Sequence, residues 1–338
     1  MGSWTFAMST RRHAGPGAPA GSARAVCACP VPAAVVASAS MKVLVIYKKS
    51  MYAIYGRERR DPRFLRLLRR KDPTVARTLA AHEEHQDTLA IVKSALREAG
   101  CEVEIAYRAR GRRPKGHGLV VTVGGDGTLL EAARAVGETP ILGVNSSPST
   151  SLGFFAGAYA AGFPRVLREF LAGRSRPTSF TRMRVSVNGR ALPVPVLNDV
   201  LFCHLIPAAT TRYLVTVRGR TEEHRSSGIW FSTAAGSTAA IHSAGGRIMP
   251  VSSRRIQYLV REPFLGDGPA YRIERGSFGL GEEMQVKSKM RRAMIYLDGP
   301  HVRVPIAMGD VVAVRPDGPR LNLVAFDRRR RDRFAGKR

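Results

Sequence analysis

The period of the hydrophobic pattern changes several times along the chain, and each change predicts an element. "MKVLVIYKKS", which opens at Met41, is apolar without interruption over residues 43–47, as in a buried strand. Further on, Leu89, Val92 and Leu96 recur at helical spacing, with Asp87 placed as N-cap and Gly100 as the stop. "CEVEIAYRA" alternates like a strand, and "LVVTV" is another continuous β-branched run. That run stops at Gly124-Gly125-Asp126-Gly127-Thr128, after which "TLLEAARAV" resumes helical spacing and "PILGVNS" reads as a strand. Strands and helices alternating over short connections predict a parallel sheet flanked by helices, over residues 41–175.

Beyond residue 176 the texture becomes mostly antiparallel β. "MRVSVNGRALPVPV" is a hairpin on its Asn188-Gly189 turn, and Leu297-Asp298-Gly299 makes another hairpin turn. "LNDVLFCHL", "RYLVTVRG", "GIWFST", "RIQYLVREPF" and "MQVKSKM" read as strands, with one short helix after "TAAGST". This second domain spans residues 176–315, and "RLNLVAF" within 316–326 is a final strand free to return to either domain.

Composition adds a bias toward anionic partners. The 338 residues hold 54 basic and 26 acidic side chains, a net charge of +28. Nucleic acid, anionic lipid and phosphorylated small molecules all fit that bias. Much of the excess lies in "GRERRDPRFLRLLRRKDP" (residues 56–73) and the tail at 327–338, which read as solvated surface and a disordered basic end. No RNP1 or helix-turn-helix pattern accompanies them, so no specific nucleic-acid partner is expected. No apolar run reaches the ~18 residues of a membrane span. Residues 1–40 lack any acid and are rich in Ala, Pro, Gly and Ser, so they cannot pack a core. A targeting peptide, a disordered extension and a true start at Met41 all fit them, and the strand opening at Met41 favours the last. Cys27, Cys29, Cys101 and Cys203 lack zinc-finger spacing and are expected as free thiols in a reducing, cytoplasmic setting.

The glycine turn carries the chemistry. A strand that ends in glycines and enters a helix presents backbone N–H groups at a positive helix end, which is a phosphate seat. No lysine follows it as a P-loop requires, and the G-x-G-x-x-G fingerprint fails at Leu130. An aspartate in a seat for phosphates makes sense if it acts beside them, taking a proton from an attacking hydroxyl or holding Mg²⁺. The alternative is an Asx-turn or N-cap aspartate.

Gly124–Thr128 resembles the GGDGT motif of the NAD kinase and diacylglycerol kinase superfamily. "GIWFSTAAGSTAAIHSAGG", "LNDV" and "LGVNSSPSTSLGF" resemble further NAD kinase segments in the same order, and the first of these is most similar to the plant-type NADH kinase branch. The resemblance implies a Rossmann-like α/β domain, a β-sandwich-like second domain, and a homo-oligomer, dimer or tetramer. It implies transfer of the ATP γ-phosphoryl group to the 2′-hydroxyl of the adenosine ribose of NAD or NADH. A lipid or sphingoid kinase, or a non-catalytic nucleotide-binding protein, are the alternatives.

By the same resemblance, Asp126 is the catalytic carboxylate, and Gly124, Gly125, Gly127 and Thr128 hold ATP phosphates. Asp126, Gly127, Leu130, Phe154, Asn198, Asp199, Ser227, Ala235, Ser237, Thr238 and Ala239 contact the dinucleotide. Ser237 and Thr238 are also good N-cap types for the short helix. Mg²⁺ would ride mainly on the ATP phosphates, with Asp126 as a further ligand. Ala240 stands where the family has a stacking tyrosine. Ser227 replaces a family carboxylate, which suits a neutral dihydronicotinamide better than a cation. His82, His85 and His242 are expected as surface or helical histidines.

Overall fold

The computed structural model describes residues 40–266 and 270–327. The expectations for residues 1–39, with Cys27 and Cys29, and for the tail beyond 327 lie outside the described residues. Five parallel strands build the first half: β1 (Lys42–Tyr47), β2 (Glu102–Tyr107), β3 (Leu119–Gly124), β4 (Ile141–Asn145) and β5 (Ala156–Tyr159). They pair in the order β2-β1-β3-β4-β5. Every residue of β3 and β4 is buried, as expected of strands covered on both faces.

Helices α1 (Pro62–Arg69), α2 (Thr78–Glu98), α3 (Asp126–Ala133) and α4 (Phe163–Leu171) surround this sheet. On one face, Leu89, Val92 and Leu96 of α2 and Phe163 and Leu167 of α4 pack on Val43, Val121 and Val144. On the other, Leu129 and Ala132 of α3 pack on Leu44 and Ile141. Gly100 ends α2 in the left-handed conformation, φ +70°.

The sequence reading of this half needs three corrections. α2 begins at Thr78, so Asp87 lies inside it, on the exposed side. His82 and His85 break the apolar pattern yet are buried, at 4% and 0% exposure, rather than on the surface. The basic stretch at 56–73 is not plain surface either: Asp61 accepts the Phe64 N–H at 2.7 Å and starts α1, which buries Phe64.

The second half is a sandwich. Its strands are β6 (Thr178–Val187), β7 (Arg190–Ala191), β8 (Asp199–His204), β9 (Thr211–Val217), β10 (Arg220–Ser226), β11 (Gly228–Ser232), β12 (Ile256–Arg261), β13 (Arg275–Phe278), β14 (Met284–Ser288), β15 (Ala293–Leu297), β16 (Val302–Ile306) and β17 (Val311–Leu323). One antiparallel sheet runs β13-β12-β11-β8-β15-β16. It packs Phe202, Phe231, Phe278 and Ile295 against Met183, Val215, Val286 and Val312 of the facing strands. The β6–β7 hairpin turns on Asn188 and Gly189, both at positive φ (50° and 77°). The short helix is α5 (Ala240–Ser243).

β17 belongs to both halves. Its first residues pair antiparallel with β14, β6 pairs with it antiparallel from Val312 to Leu323, and Leu323 also pairs parallel with Ile141 of β4. The buried Arg182 of β6 fastens this junction. Its guanidinium donates to the carbonyls of Ala133, Val136 and Gly137 at the end of α3, and to those of Pro319 and Arg320 in β17.

Candidate active site

The glycine turn sits at the C-terminal edge of the parallel sheet, where open α/β sheets bind ligands. Gly125, not Asp126, caps α3: its carbonyl accepts the Thr128 N–H at 2.9 Å. Asp126 is therefore the first helical residue, and its half-buried carboxylate serves another purpose. Oδ2 accepts the N–H of Phe154 at 2.9 Å, and Oδ1 that of Phe155 at 2.8 Å. Two main-chain donors from one loop fix the plane of the carboxylate.

The glycines make this close packing feasible. A Cβ on Gly124 would collide with the Thr128 hydroxyl, and one on Gly125 would stand 2.6 Å from Ser151 Oγ. Thr128 is thus folded back beneath Gly124, with its hydroxyl buried and unpartnered. Its hydroxyl lies behind the Gly124 backbone, inside the turn. Gly127 is exposed.

Asn145, which sequence reading passed over, shapes the facing loop. Its Nδ2 donates to Ser151 O at 2.9 Å, and its Oδ1 accepts from Ser147 N at 3.2 Å. Gly153, at φ +60°, lies so close that a Cβ would meet Asn145 Nδ2 at 2.5 Å. The chain then reaches Phe154, whose ring packs edge-on against Phe155 and Phe326. Leu130, Phe154, Ala235 and Leu197 fall into one cluster, which joins the turn to the second half.

The Asn198-Asp199 pair is held by a residue that sequence alone placed only in a hairpin turn. The buried carboxylate of Asp298 accepts the N–H groups of Leu197 (2.9 Å), Asn198 (2.6 Å) and Asp199 (3.4 Å). Arg134, just past α3, donates to the Asp298 carbonyl at 3.0 Å. α3 therefore ties the two parts of the site, with Asp126 at its head and the Asp298 corner at its foot. Burial, reinforced by the charge of Asp298, pushes the Asp199 carboxyl up to about 7. The Asn198 Oδ1 is buried with no partner.

The segment 233–239 stacks on this corner: Thr233 N donates to Asn198 O at 3.1 Å, and a Cβ on Gly236 would strike that same carbonyl. Ser237 is fully buried. Its hydroxyl donates to Ala234 O at 2.8 Å and accepts from Met249 N at 2.9 Å. It locks the loop, with its hydroxyl engaged as both donor and acceptor inside the chain. Neither Ser237 nor Thr238 caps α5, whose N-cap is Ala239. Thr238 and Ala239 remain partly open.

Ser227 lies away from Asp126. It lines a cavity of about 410 Å³ together with Asp199, Trp230, Arg261 and Tyr296 on the outer face of the six-stranded sheet. Among the described residues no group of three His, Cys, Asp or Glu could hold a metal ion. Each Asp126 oxygen accepts one N–H and keeps a second lone pair, so the carboxylate alone would remain as a ligand for a divalent ion brought in with phosphates.

Fold and site together define an α/β–β protein with an oriented, half-buried carboxylate at a glycine turn on the edge of its parallel sheet. Residues 57–175 match the ATP-NAD kinase N-terminal domain. A probable NADH kinase of Oryza sativa is 34% identical over 263 residues, covering 71% of this chain and 81% of its own. The Arabidopsis thaliana NADH kinase is 36% identical over 228 residues, 61% of this chain and 72% of its own. Two solved structures share the fold: an Archaeoglobus fulgidus NAD kinase in complex with ATP (TM-score 0.60, 20% identity, 87% of this chain and 97% of that one) and yeast NADH kinase complexed with NADH (0.65, 16%, 88% and 87%). The chain belongs to the NAD kinase family, on the branch of the plant NADH kinases.

Proposed function

We propose that the protein transfers the γ-phosphoryl group of ATP to the 2′-hydroxyl of the adenosine ribose of NAD or NADH. The observation that carries this reading is the Asp126 carboxylate, oriented by two N–H groups at the head of α3. The ribose hydroxyl gives its proton to Asp126 as its oxygen bonds to the γ-phosphorus. The bond from that phosphorus to the bridging oxygen breaks, ADP leaves, and NADP(H) remains. Phosphoryl transfer depends on positioning, so a rigidly oriented acceptor for the proton matters more than a strong base.

Gly124, Gly125 and Gly127 let the donor phosphates approach the backbone. The acceptor dinucleotide lies along Leu130, Phe154, Asn198, Asp199, Thr238 and Ala239, with Ala235 behind them. The free Oδ1 of Asn198 suits an adenine amino group, and Asp199 suits a ribose hydroxyl. Ser227 and its cavity suit the far end of the dinucleotide. A divalent ion such as Mg²⁺ enters with ATP and offsets the charge of its phosphates. We assign the protein to the cytoplasm and to a homo-oligomer; among the described residues no helix is long and apolar enough to cross a membrane.

The test incubates the full-length chain with ATP, Mg²⁺ and either NAD or NADH, and follows NADP(H). Product expected in both arms, in unequal yield, supports the reading and ranks the two acceptors. No product from either would sink it.

A further inference from the structure

The edge of the parallel sheet that carries Asp126 also carries two cations, Lys48 and Arg108. Lys48 follows β1, and its main-chain N–H bonds to Val123 O at 3.2 Å, beside Gly124. Its side chain is half-buried and makes no ion pair or hydrogen bond among the described residues. Arg108 follows β2. Its Nε is held 3.2 Å from the Glu131 carboxylate of α3. Its Nη1 comes within 3.9 Å of where a Cβ on Gly127 would stand. The guanidinium therefore lies within van der Waals reach of position 127 at the helix end.

Burial first, and the charge of Arg108 second, hold the Lys48 ammonium below the usual lysine range. No neighbour relieves this crowding fully. His85 beside it is fully buried, bonds Ser146 Oγ through Nδ1 at 2.8 Å, and is pushed down to about 4, so it stays neutral. Glu131 answers Arg108 alone. Glu84 acts on Lys48 only from a distance, with its carboxylate engaged by Ser149 Oγ at 2.7 Å. Two cations at the ends of the paired strands β1 and β2, only one of them in an ion pair among the described residues, describe a site that an anion completes.

We propose that Lys48 and Arg108 grip the triphosphate of the phosphoryl donor above Gly127, against the acceptor hydroxyl at Asp126. This rests on the kinase reading and extends it to the donor side. Strand order gives the direction. Arg108, Lys48, the glycine turn and Asn145 follow one another along the edge from β2 through β1 and β3 to β4. Leu130, Phe154 and Ala235 cluster instead with Leu197 of the second half. The donor therefore enters over β1 and β2, the acceptor over β4 and β8, and the two meet at Asp126.

The experiment compares Lys48→Met and Arg108→Gln with the full-length parent, and Arg165→Gln on the exposed face of α4 serves as a charge control. KM is measured for ATP and for NADH, and binding of inorganic tripolyphosphate is followed by calorimetry without dinucleotide. Each of the two variants is expected to raise KM for ATP at least about tenfold and to weaken tripolyphosphate binding alike, with KM for NADH within about twofold. Lys48→Arg should recover most of the loss, which a purely structural role would not predict. An unchanged KM for ATP in well-folded variants overturns the proposal. So does a rise confined to NADH, which would assign the cations to the dinucleotide's own pyrophosphate. If Lys48→Met fails to fold, Arg108→Gln carries the test alone. A parent chain that phosphorylates neither dinucleotide, yet loses tripolyphosphate binding in the variants, would sink the kinase reading and support the anion site.

Discussion

Two aspartates organise the two sides of the site in opposite ways. Asp126 borrows two N–H groups from a distant loop and keeps a half-open carboxylate for chemistry. Asp298 takes three N–H groups, is buried, and shows nothing to a ligand. The first is aimed by the main chain; the second aims the main chain. Similar hydrogen bonding thus leaves an accessible carboxylate, the proposed reagent, at one place and a scaffold at the other, and exposure is what separates them.

The sharpest way to break this contrast is Asp126→Asn. The amide preserves the shape but cannot take a proton, so turnover should fall by about 10²–10⁴-fold, far beyond the stability loss of about 1–2 kcal/mol expected from one amide N–H set against a main-chain N–H. Initial rates of NADP(H) formation beside a thermal melt decide it. Asp298→Asn should do the reverse. Asn tolerates the left-handed backbone there (φ +48°), but one oxygen becomes a donor facing N–H groups. A loss of about 2–3 kcal/mol in chemical denaturation is expected, with weaker dinucleotide binding and kcat largely kept.

The neighbouring Asp199 gives a pH test. Its folded value, about 7, lies above the ordinary 3.8. Between those values the unfolded chain has released a proton that the folded chain retains. Stability should therefore fall as pH rises from about 4 to 7, by at most about 1.4 kcal/mol per unit. Denaturation midpoints across that window should slope downward in the parent and flatten in Asp199→Asn; parallel curves would show that another group titrates. The smallest effect belongs to Ser237→Ala, about 1 kcal/mol from two lost hydrogen bonds, with KM for NADH unchanged. A raised KM would return Ser237 to the ligand.

The same contrast explains what could be read in advance. Asp126 stood out because glycines broke a strand-to-helix pattern within a few residues, and the parallel order of that half followed from local periodicity. Asp298 sits in "LDG", an ordinary turn signature; its partners lie about a hundred positions earlier, and no local pattern records such a contact. Arg182 and Asn145 were missed likewise, because a buried polar residue announces itself only through what surrounds it. α2 was read too short because His82 and His85 pair with Ser50 and Ser146 and so are buried without being apolar. β10, "RTEEHRS", has no apolar alternation, yet it pairs with β9 while His224 stacks between Tyr213 and Tyr271.

β17 has a consequence in time. A chain made from its N-terminus at about 5–20 residues per second has the β2-β1-β3-β4-β5 sheet in hand long before β17, which joins that sheet to the sandwich through Leu323 and Ile141. Until then the growing protein carries open strand edges on β6 and β14, ready to pair with a neighbour. Closure late in synthesis makes folding slow and aggregation a competing outcome. It also makes the finished molecule cooperative, since pulling out one strand opens both layers of structure at once.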